Sequence, residues 1–419
     1  MSLLVVGLNH RTADLALLEK VAIPSEEQAK ALHSVLELEH VLGAAVLSTC
    51  NRVEVYAHVT RFHAGLHEIV TWLGDRAGAD AATIVDAHYA YYEHEAAAHL
   101  FAVAAGVDSV VVGERQVALQ VKDAARVATE EATIGSLLQR LFERALGAAR
   151  RVRQETTLDE GASSMVDIGI DTAAQEWEGG LEGLTVAILG AGALGGLAAD
   201  RLAREPVARV LVQNRTRDKA VRLAARVNGD VADDELRPTL TAADLVVCCT
   251  GAPVPVVGTA TVDAAIRERP DRPLVLVDLG LPRNVDPGCA DLAGVTLVDL
   301  ETIRRVHDSS PNAEVLEAAQ EVVDEEAARF SAWMRAVQVE PTVVSLRERA
   351  EGVRQAELER LGSRLSSLDP REREVVEALT RGIISTLLHD PTVRLKELAD
   401  RGGAESYAMA LRELFDLDE

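Results

Sequence analysis

Cys50 lies in the tetrad Thr49-Cys50-Asn51-Arg52, between the apolar, partly β-branched runs Ala44–Leu47 and Val53–Tyr56. The flanks read as two strands. The thiol therefore falls where a strand ends, beside an amide and a guanidinium. A neighbouring cation favours thiolate, the nucleophilic form. Alone, a free Cys is more often a small buried hydrophobe, so its reading depends on what else the chain carries.

A second group supplies that context. The apolar run Leu184–Leu189 leads straight into Gly190-Ala191-Gly192-Ala193-Leu194-Gly195 and then an Ala/Leu-rich helix. Strand, glycines and helix in this order allow a tight turn and close approach of a pyrophosphate to a helix N-terminus. At the end of the next apolar run stands Asn214-Arg215-Thr216. A carboxylate there would bind a ribose 2′-hydroxyl and repel a 2′-phosphate, whereas an arginine attracts one, so the expected cofactor is NADPH. A nucleophilic Cys in one domain and a nicotinamide in another suggest thioester formation followed by hydride transfer, which reduces an activated acid to an aldehyde.

A third group surrounds His99, which sits in the apolar helical stretch Glu95–Phe101. A lone helical His is more often a core residue than an acid or base. The nearby polar set Ser109, Glu114, Gln116 and Gln120 resembles a hydrogen-bonding wall for a small polar substrate.

The elements that position these groups fall into three stretches. Residues 1–60 read strand, helix, strand, strand. A helix opens at Pro24-Ser25-Glu26-Glu27, another covers 65–74, and a short strand spans Ala87–Tyr92. That βαββαβ order predicts a ferredoxin-like α+β unit, followed by helices over 95–155. Residues 184–300 alternate buried apolar strands with helices, the pattern of a doubly wound parallel sheet. Residues 301–419 read as helical. Apolar positions from Val315 to Val337 recur near every 3.5 residues, predicting a long amphipathic helix over roughly 313–340, stopped by Pro341. The apolar stripe of this long helix needs a partner, supplied by dimerisation or by packing within the chain. A last helix carries Ile383, Ile384, Leu387 and Leu388 before Pro391.

Composition bounds the partners. The 419 residues are 48% hydrophobic and 3% aromatic, so the cores are aliphatic. No apolar segment reaches membrane-spanning length, and the N-terminus reads as a strand, not a signal peptide. Four cysteines, Cys50, Cys248, Cys249 and Cys289, show no CxxC spacing, which fits a reducing cytoplasm and argues against a structural zinc or other metal site. A net charge of −24 argues against a general DNA or RNA binder. Residues 113–153 are nonetheless net positive, with Lys122, Arg126, Arg140, Arg144, Arg150, Arg151 and Arg153 among them. On its own this strip reads as a solvated face of mixed charge.

Together these residues resemble the glutamyl-tRNA reductase family. The resemblance runs the length of the chain, through Gly7–Ala13, Ser48–Tyr56, His99–Phe101, Gly113–Gln116, Gly190–Gly195, Asn214–Thr216, Thr250–Pro253, Pro282–Pro287, Pro341-Thr342 and Leu387–Thr392. It implies a catalytic glutamyl-tRNA-binding domain (1–160), a Rossmann-type NADPH domain (161–305), and a spinal helix with a helical dimerisation domain (306–419). The implied reaction is NADPH-dependent reduction of glutamyl-tRNA(Glu) to glutamate-1-semialdehyde, the first step of five-carbon tetrapyrrole synthesis, in a cytoplasmic homodimer.

By the same resemblance Cys50 attacks the glutamyl ester, and His99 assists proton transfer or holds the thiol. Thr49, Asn51 and Arg52 position the glutamyl group, Arg52 as a bidentate fork for its carboxylate. Ser109, Glu114, Arg115, Gln116 and Gln120 complete the pocket, with Glu114 at the α-ammonium. Gly190–Gly195 and Asn214–Thr216 hold NADPH. A partner that takes the reactive aldehyde, glutamate-1-semialdehyde aminomutase, is also implied. Arg115 stands where the family commonly has Pro, and Ala118-Leu119 where it often has Leu-Gly. The glycine loop with Asn-Arg-Thr is also similar to shikimate-dehydrogenase-like NADP oxidoreductases, a likeness that leaves Thr49–Arg52 unexplained.

Overall fold

A computed structural model describes residues 2–114, 116–158, 164–306, 313–400 and 404–417. Arg115, expected in the pocket, lies outside the described residues. The chain forms two compact units, Met1–Glu326 and Ala327–Glu419.

The first sheet has strands β1 (Ser2–Asn9), β2 (Val41–Ser48), β3 (Arg52–Val59) and β4 (Tyr89–Tyr92). They lie in the order β2-β3-β1-β4 and pair antiparallel throughout. Two helices join β1 to β2 and two join β3 to β4, so this is the expected ferredoxin-like arrangement. Val46 and Val6 both pair with Val55, a register that holds the β2–β3 turn at one edge of the buried sheet.

Two local differences have clear causes. Pro24–Glu27 form a turn closed by the Glu27 N–H on the Pro24 carbonyl (2.9 Å), so the helix begins at Gln28. Asp80 caps an unexpected helix, Ala81–Ala87, accepting from the Thr83 N–H at 2.8 Å. That shortens the following strand to Tyr89–Tyr92. Over the sheet, the helix Ser136–Glu155 buries Leu138, Leu141, Phe142, Ala145, Ala149 and Val152 at three- and four-residue spacing. Phe142 meets the fully buried Tyr56 edge-on, with ring centroids 5.4 Å apart.

The second sheet contains β5 (Thr185–Leu189), β6 (Arg209–Gln213), β7 (Asp230–Val231), β8 (Leu245–Cys248), β9 (Leu274–Asp278) and β10 (Val295–Val298). Its order is β10-β9-β8-β5-β6-β7, all parallel. Counted within the domain this is the dinucleotide-binding order 3-2-1-4-5-6, with its switch point between β5 and β8. The central strands are buried on both faces by two aliphatic clusters.

The helical region corrects both proline-based stops. One helix runs unbroken over Ala313–Arg360 through Pro341, 48 residues, and another over Pro370–Asp400 through Pro391. A proline in a helix interior removes one hydrogen bond and costs about 3 kcal/mol. Burial on either side offsets this: Val339 and Val343 pack with Leu395, Leu398, Ala408 and Leu411. Beside Pro391, the Thr392 hydroxyl donates to the Leu388 carbonyl at 2.6 Å. A further helix, Ala404–Phe415, was not expected.

Candidate functional site

The tetrad forms the turn between β2 and β3. The Thr49 N–H donates to the Arg52 carbonyl (2.9 Å), and the Asn51 N–H to the Thr49 hydroxyl (3.2 Å). The His10 N–H donates to the Asn51 carbonyl at 3.0 Å and pins the turn to the end of β1. Cys50 keeps partial solvent access.

Opposite the turn, the helix Glu93–Ala105 ends at Gly106, whose φ of +78° turns the chain back. A Cβ there would come within 3.2 Å of the Glu114 backbone, so only glycine allows the 106–114 loop to close this tightly. The loop and the helix Gln116–Glu130 complete a small, partly open pocket lined by Thr49, Cys50, Asn51, Arg52, Ser109, Val110, Glu114, Gln116, Val117 and Gln120. Except for Arg115, every expected substrate-binding residue is in this wall. The buried Ser109 Oγ has no hydrogen-bond partner among the described residues. Unpaired buried polar atoms are rare, and this one fits a ligand group that completes it.

A second layer lies behind the pocket. Arg52 is buried, its Nη1 2.7 Å from Glu54 Oε1 and 3.1 Å from Asp108 Oδ2, while Nη2 donates to the Asp108 carbonyl. Its fork is therefore turned toward Glu54 and Asp108. Glu54, fully buried, also accepts from Tyr56 and from Tyr89 (2.5 Å). His99 Nε2 lies 2.8 Å from Glu54 Oε1, and its ring stacks on Tyr91 at 4.6 Å. His99 thus sits in this layer and is absent from the pocket lining. Arg11 closes the cluster on Asp108 at 2.5 Å. Despite the cost of burial, Arg52, His99 and the tyrosine hydroxyl hold the Glu54 carboxyl well below the usual carboxylate range.

The pocket groups shift the other way. Burial, reinforced by Glu114, pushes the Cys50 thiol up to about 12, with Arg304 and then Arg52 pulling against it. Burial lifts the Glu114 carboxyl to about 7, against a hydrogen bond from the Met165 backbone. His10 is lowered to about 4 by burial and by Arg304, Arg11 and Arg52. The adjacent Arg52, expected to favour thiolate, does so less than Arg304, and its guanidinium is engaged by Glu54 and Asp108. Sequence reading missed Arg304, Glu54 and Asp108. Of these, only Glu54, a carboxylate inside the apolar strand Val53–Tyr56, left a local signal.

The glycine loop follows β5. Gly190 has φ +111°, and a Cβ there would strike the Cys249 carbonyl at 2.6 Å; one at Gly195 would meet the Gly190 carbonyl at 2.1 Å. A Cβ at Gly192 would face open space, the room a pyrophosphate needs at the N-terminus of the helix Ala193–Leu202. Asn214 Oδ1 accepts from the Ala191 N–H at 3.0 Å and its amide donates to the Thr216 carbonyl at 2.9 Å, fastening the loop to the end of β6. Arg215 is almost fully exposed, 3.4 Å from Glu26. These residues fit a nicotinamide dinucleotide.

Elsewhere, much of the basic strip is internally paired. Arg126 meets Asp123 and Glu130, and Arg151 meets Glu155, Glu325 and Glu326.

A dinucleotide-order sheet with its glycine loop, and a cysteine pocket in the same compact unit, define an oxidoreductase of the NAD(P)-binding class. Family models agree: "Glutamyl-tRNAGlu reductase, N-terminal domain" matches residues 6–156 and its dimerisation domain residues 318–417, while "Shikimate / quinate 5-dehydrogenase" matches 172–306. Glutamyl-tRNA reductase from Methanopyrus kandleri is similar at 31% identity over 100% of this chain and 99% of that one, with a TM-score of 0.52. Two partial likenesses are the nucleotide-binding domain of the Thermoplasma volcanium reductase (19%, 35% and 92% covered, TM-score 0.27) and Mycobacterium tuberculosis shikimate dehydrogenase (17%, 39% and 63%, 0.24). The chain belongs to the glutamyl-tRNA reductase family.

Proposed function

We propose that the Cys50 pocket carries out the family's reaction, the reduction of glutamyl-tRNA(Glu) to glutamate-1-semialdehyde at the start of tetrapyrrole synthesis. The observation that carries this reading is the pocket wall, with Cys50 and the unpaired Ser109 Oγ in one cavity.

Cys50 Sγ bonds to the glutamyl carbonyl carbon, the ester C–O bond breaks, and the tRNA 3′-oxygen leaves with the thiol proton. The Asn51 amide, 3.3 Å from Sγ, donates to the sulfur as charge gathers there. Ser109, Gln116 and Gln120 hydrogen-bond the γ-carboxylate, with Arg115 beside them in sequence, and Thr49 holds the turn. Glu114 holds the α-ammonium, whose charge compensates a carboxylate that burial disfavours. Arg52 supports the wall from behind. His99 acts through Glu54 and Arg52 as a positioning residue.

Gly190, Ala191, Gly192, Ala193, Leu194, Gly195, Asn214, Arg215 and Thr216 would hold the cofactor, Arg215 selecting NADPH by its 2′-phosphate. When bound, it would supply the hydride that reduces the thioester carbonyl carbon. Sγ then leaves as thiolate and releases the aldehyde.

Residues 1–160 serve tRNA and catalysis, 161–305 the cofactor, and 306–419 dimerisation. The homodimer is supported by the exposed stripe Val375, Leu379, Ile383 and Leu387 within the matched dimerisation domain. Four free cysteines suit a cytoplasmic setting, and among the described residues no helix is long and apolar enough to cross a membrane. The aldehyde's reactivity favours a partner that receives it, the aminomutase. The test is semialdehyde formation from glutamyl-tRNA and NADPH, which is expected in the native chain; turnover persisting in Cys50→Ser would overturn the thioester route.

A further inference from the structure

We infer that Arg304 is a positioning residue for the nucleophile: from the helix that follows the last cofactor-domain strand, it fixes the Asn51 amide so that the NH2 group must face Cys50 Sγ. This rests on the reading of Cys50 as the nucleophile.

The geometry is a two-step relay. Arg304 Nη2 and Nε lie 2.7 and 3.1 Å from Asn51 Oδ1, and Nη2 also donates to the Cys50 carbonyl at 3.3 Å. Asn51 Nδ2 in turn lies 3.3 Å from Cys50 Sγ. A guanidinium has donors only. It can bind Asn51 through the amide oxygen alone, and that choice leaves the NH2 pointing at sulfur. Without Arg304 the amide is free to flip and turn a carbonyl toward the developing thiolate.

The relay crosses the chain from residue 304 to residue 51, between the two sheets of one compact unit. Its base is firm. Leu300 and Ile303 are buried in the cofactor-domain core, and Asp299 caps the helix through the Thr302 N–H at 2.8 Å. Neighbouring Arg305 is exposed. Around the sulfur, Glu114 opposes thiolate while Arg304 and Arg52 favour it; Arg304 is itself faced by Glu301 and Asp299. Arg52 sits between two carboxylates, whereas Arg304 donates directly to the Cys50 carbonyl and the Asn51 amide beside the sulfur. Nucleophile activation is thereby tied to the docking of the Leu300–Val306 helix on the turn.

The test measures iodoacetamide alkylation of Cys50, read on its peptide by mass spectrometry from mildly acid to alkaline pH. The variants are Arg304→Gln, Arg304→Lys and Arg305→Gln in the full chain. Arg304→Gln is expected to slow alkylation about tenfold at every pH below the thiol's titration, the equivalent of a one-unit rise. Arg304→Lys keeps the charge without the fork and should fall between. Arg305→Gln should match the native chain. Tryptophan-detected NADPH binding should be unchanged in all three, which separates a positioning role from loss of the domain's fold. Equal alkylation rates and pH profiles for Arg304→Gln and the native chain would overturn the inference. Failure of the native chain to form any glutamyl adduct overturns the thioester reading and takes this inference with it, whatever alkylation shows.

Discussion

Cys50 and Glu54 lie four residues apart, yet they belong to regions of opposite character. Behind the turn, two guanidinium groups, Arg11 and Arg52, meet two carboxylates, Glu54 and Asp108, with His99, Tyr56 and Tyr89 completing Glu54. In the pocket, Ser109 Oγ is unpaired, Cys50 is pushed up to about 12 and Glu114 to about 7. The rear cluster is arranged to stay as it is. The pocket is arranged to be completed by something that brings polar and charged groups of its own. Burial is common to both, so burial alone does not mark a functional site; unmet burial does.

This contrast can be broken in a graded series. The largest effect is expected for Cys50→Ala in the pocket: loss of reductase rate by roughly a thousandfold or more, as for removal of a covalent nucleophile, with thermal unfolding little changed. Glu54→Gln attacks the rear cluster and should behave in reverse, lowering stability by about 3 kcal/mol because buried Arg52 loses one of its two carboxylates and keeps only Asp108. Chemical unfolding measures this.

Glu114→Gln should stabilise. Burial lifts the folded carboxyl to about 7, above its ordinary value of 4.5. The folded state therefore holds the extra proton between those values, and the native chain loses stability as pH rises through them. The variant escapes that loss, gaining on the order of 1–3 kcal/mol at about pH 8 and nothing near pH 4, while its reductase activity falls. If Glu114→Gln destabilised at alkaline pH instead, Glu114 would belong with the rear cluster. The smallest effect is expected at exposed Arg215: Arg215→Ala should raise the KM for NADPH on the order of tenfold, about 1.4 kcal/mol, and leave that for NADH unchanged.

Much of this was legible from the residues. The tetrad, Ser109, Glu114, Gln116 and Gln120 were grouped from sequence and share one cavity, because they fall in two short polar breaks beside apolar strand and helix runs. The glycine loop was legible because its constraints are local: φ at Gly190 and close packing at Gly195. What failed was non-local. Arg304 reaches the turn from 253 residues away, and no spacing rule pairs the two. His99 was read on its own helix, while its place is set by Glu54 on β3 and Tyr91 on β4. Pro341 and Pro391 were read as helix stops because a local penalty near 3 kcal/mol is visible in sequence and the offsetting packing with Leu395 and Leu411 is not.

The central claim is covalent catalysis at Cys50. It is tested most directly by mixing the native chain with glutamyl-tRNA in the absence of NADPH, quenching in acid, and mapping peptides by mass spectrometry. A glutamyl mass increment on the Cys50 peptide, lost in Cys50→Ala and discharged on adding NADPH, is the predicted result. Turnover with no adduct on Cys50, or an adduct on another residue, would contradict it.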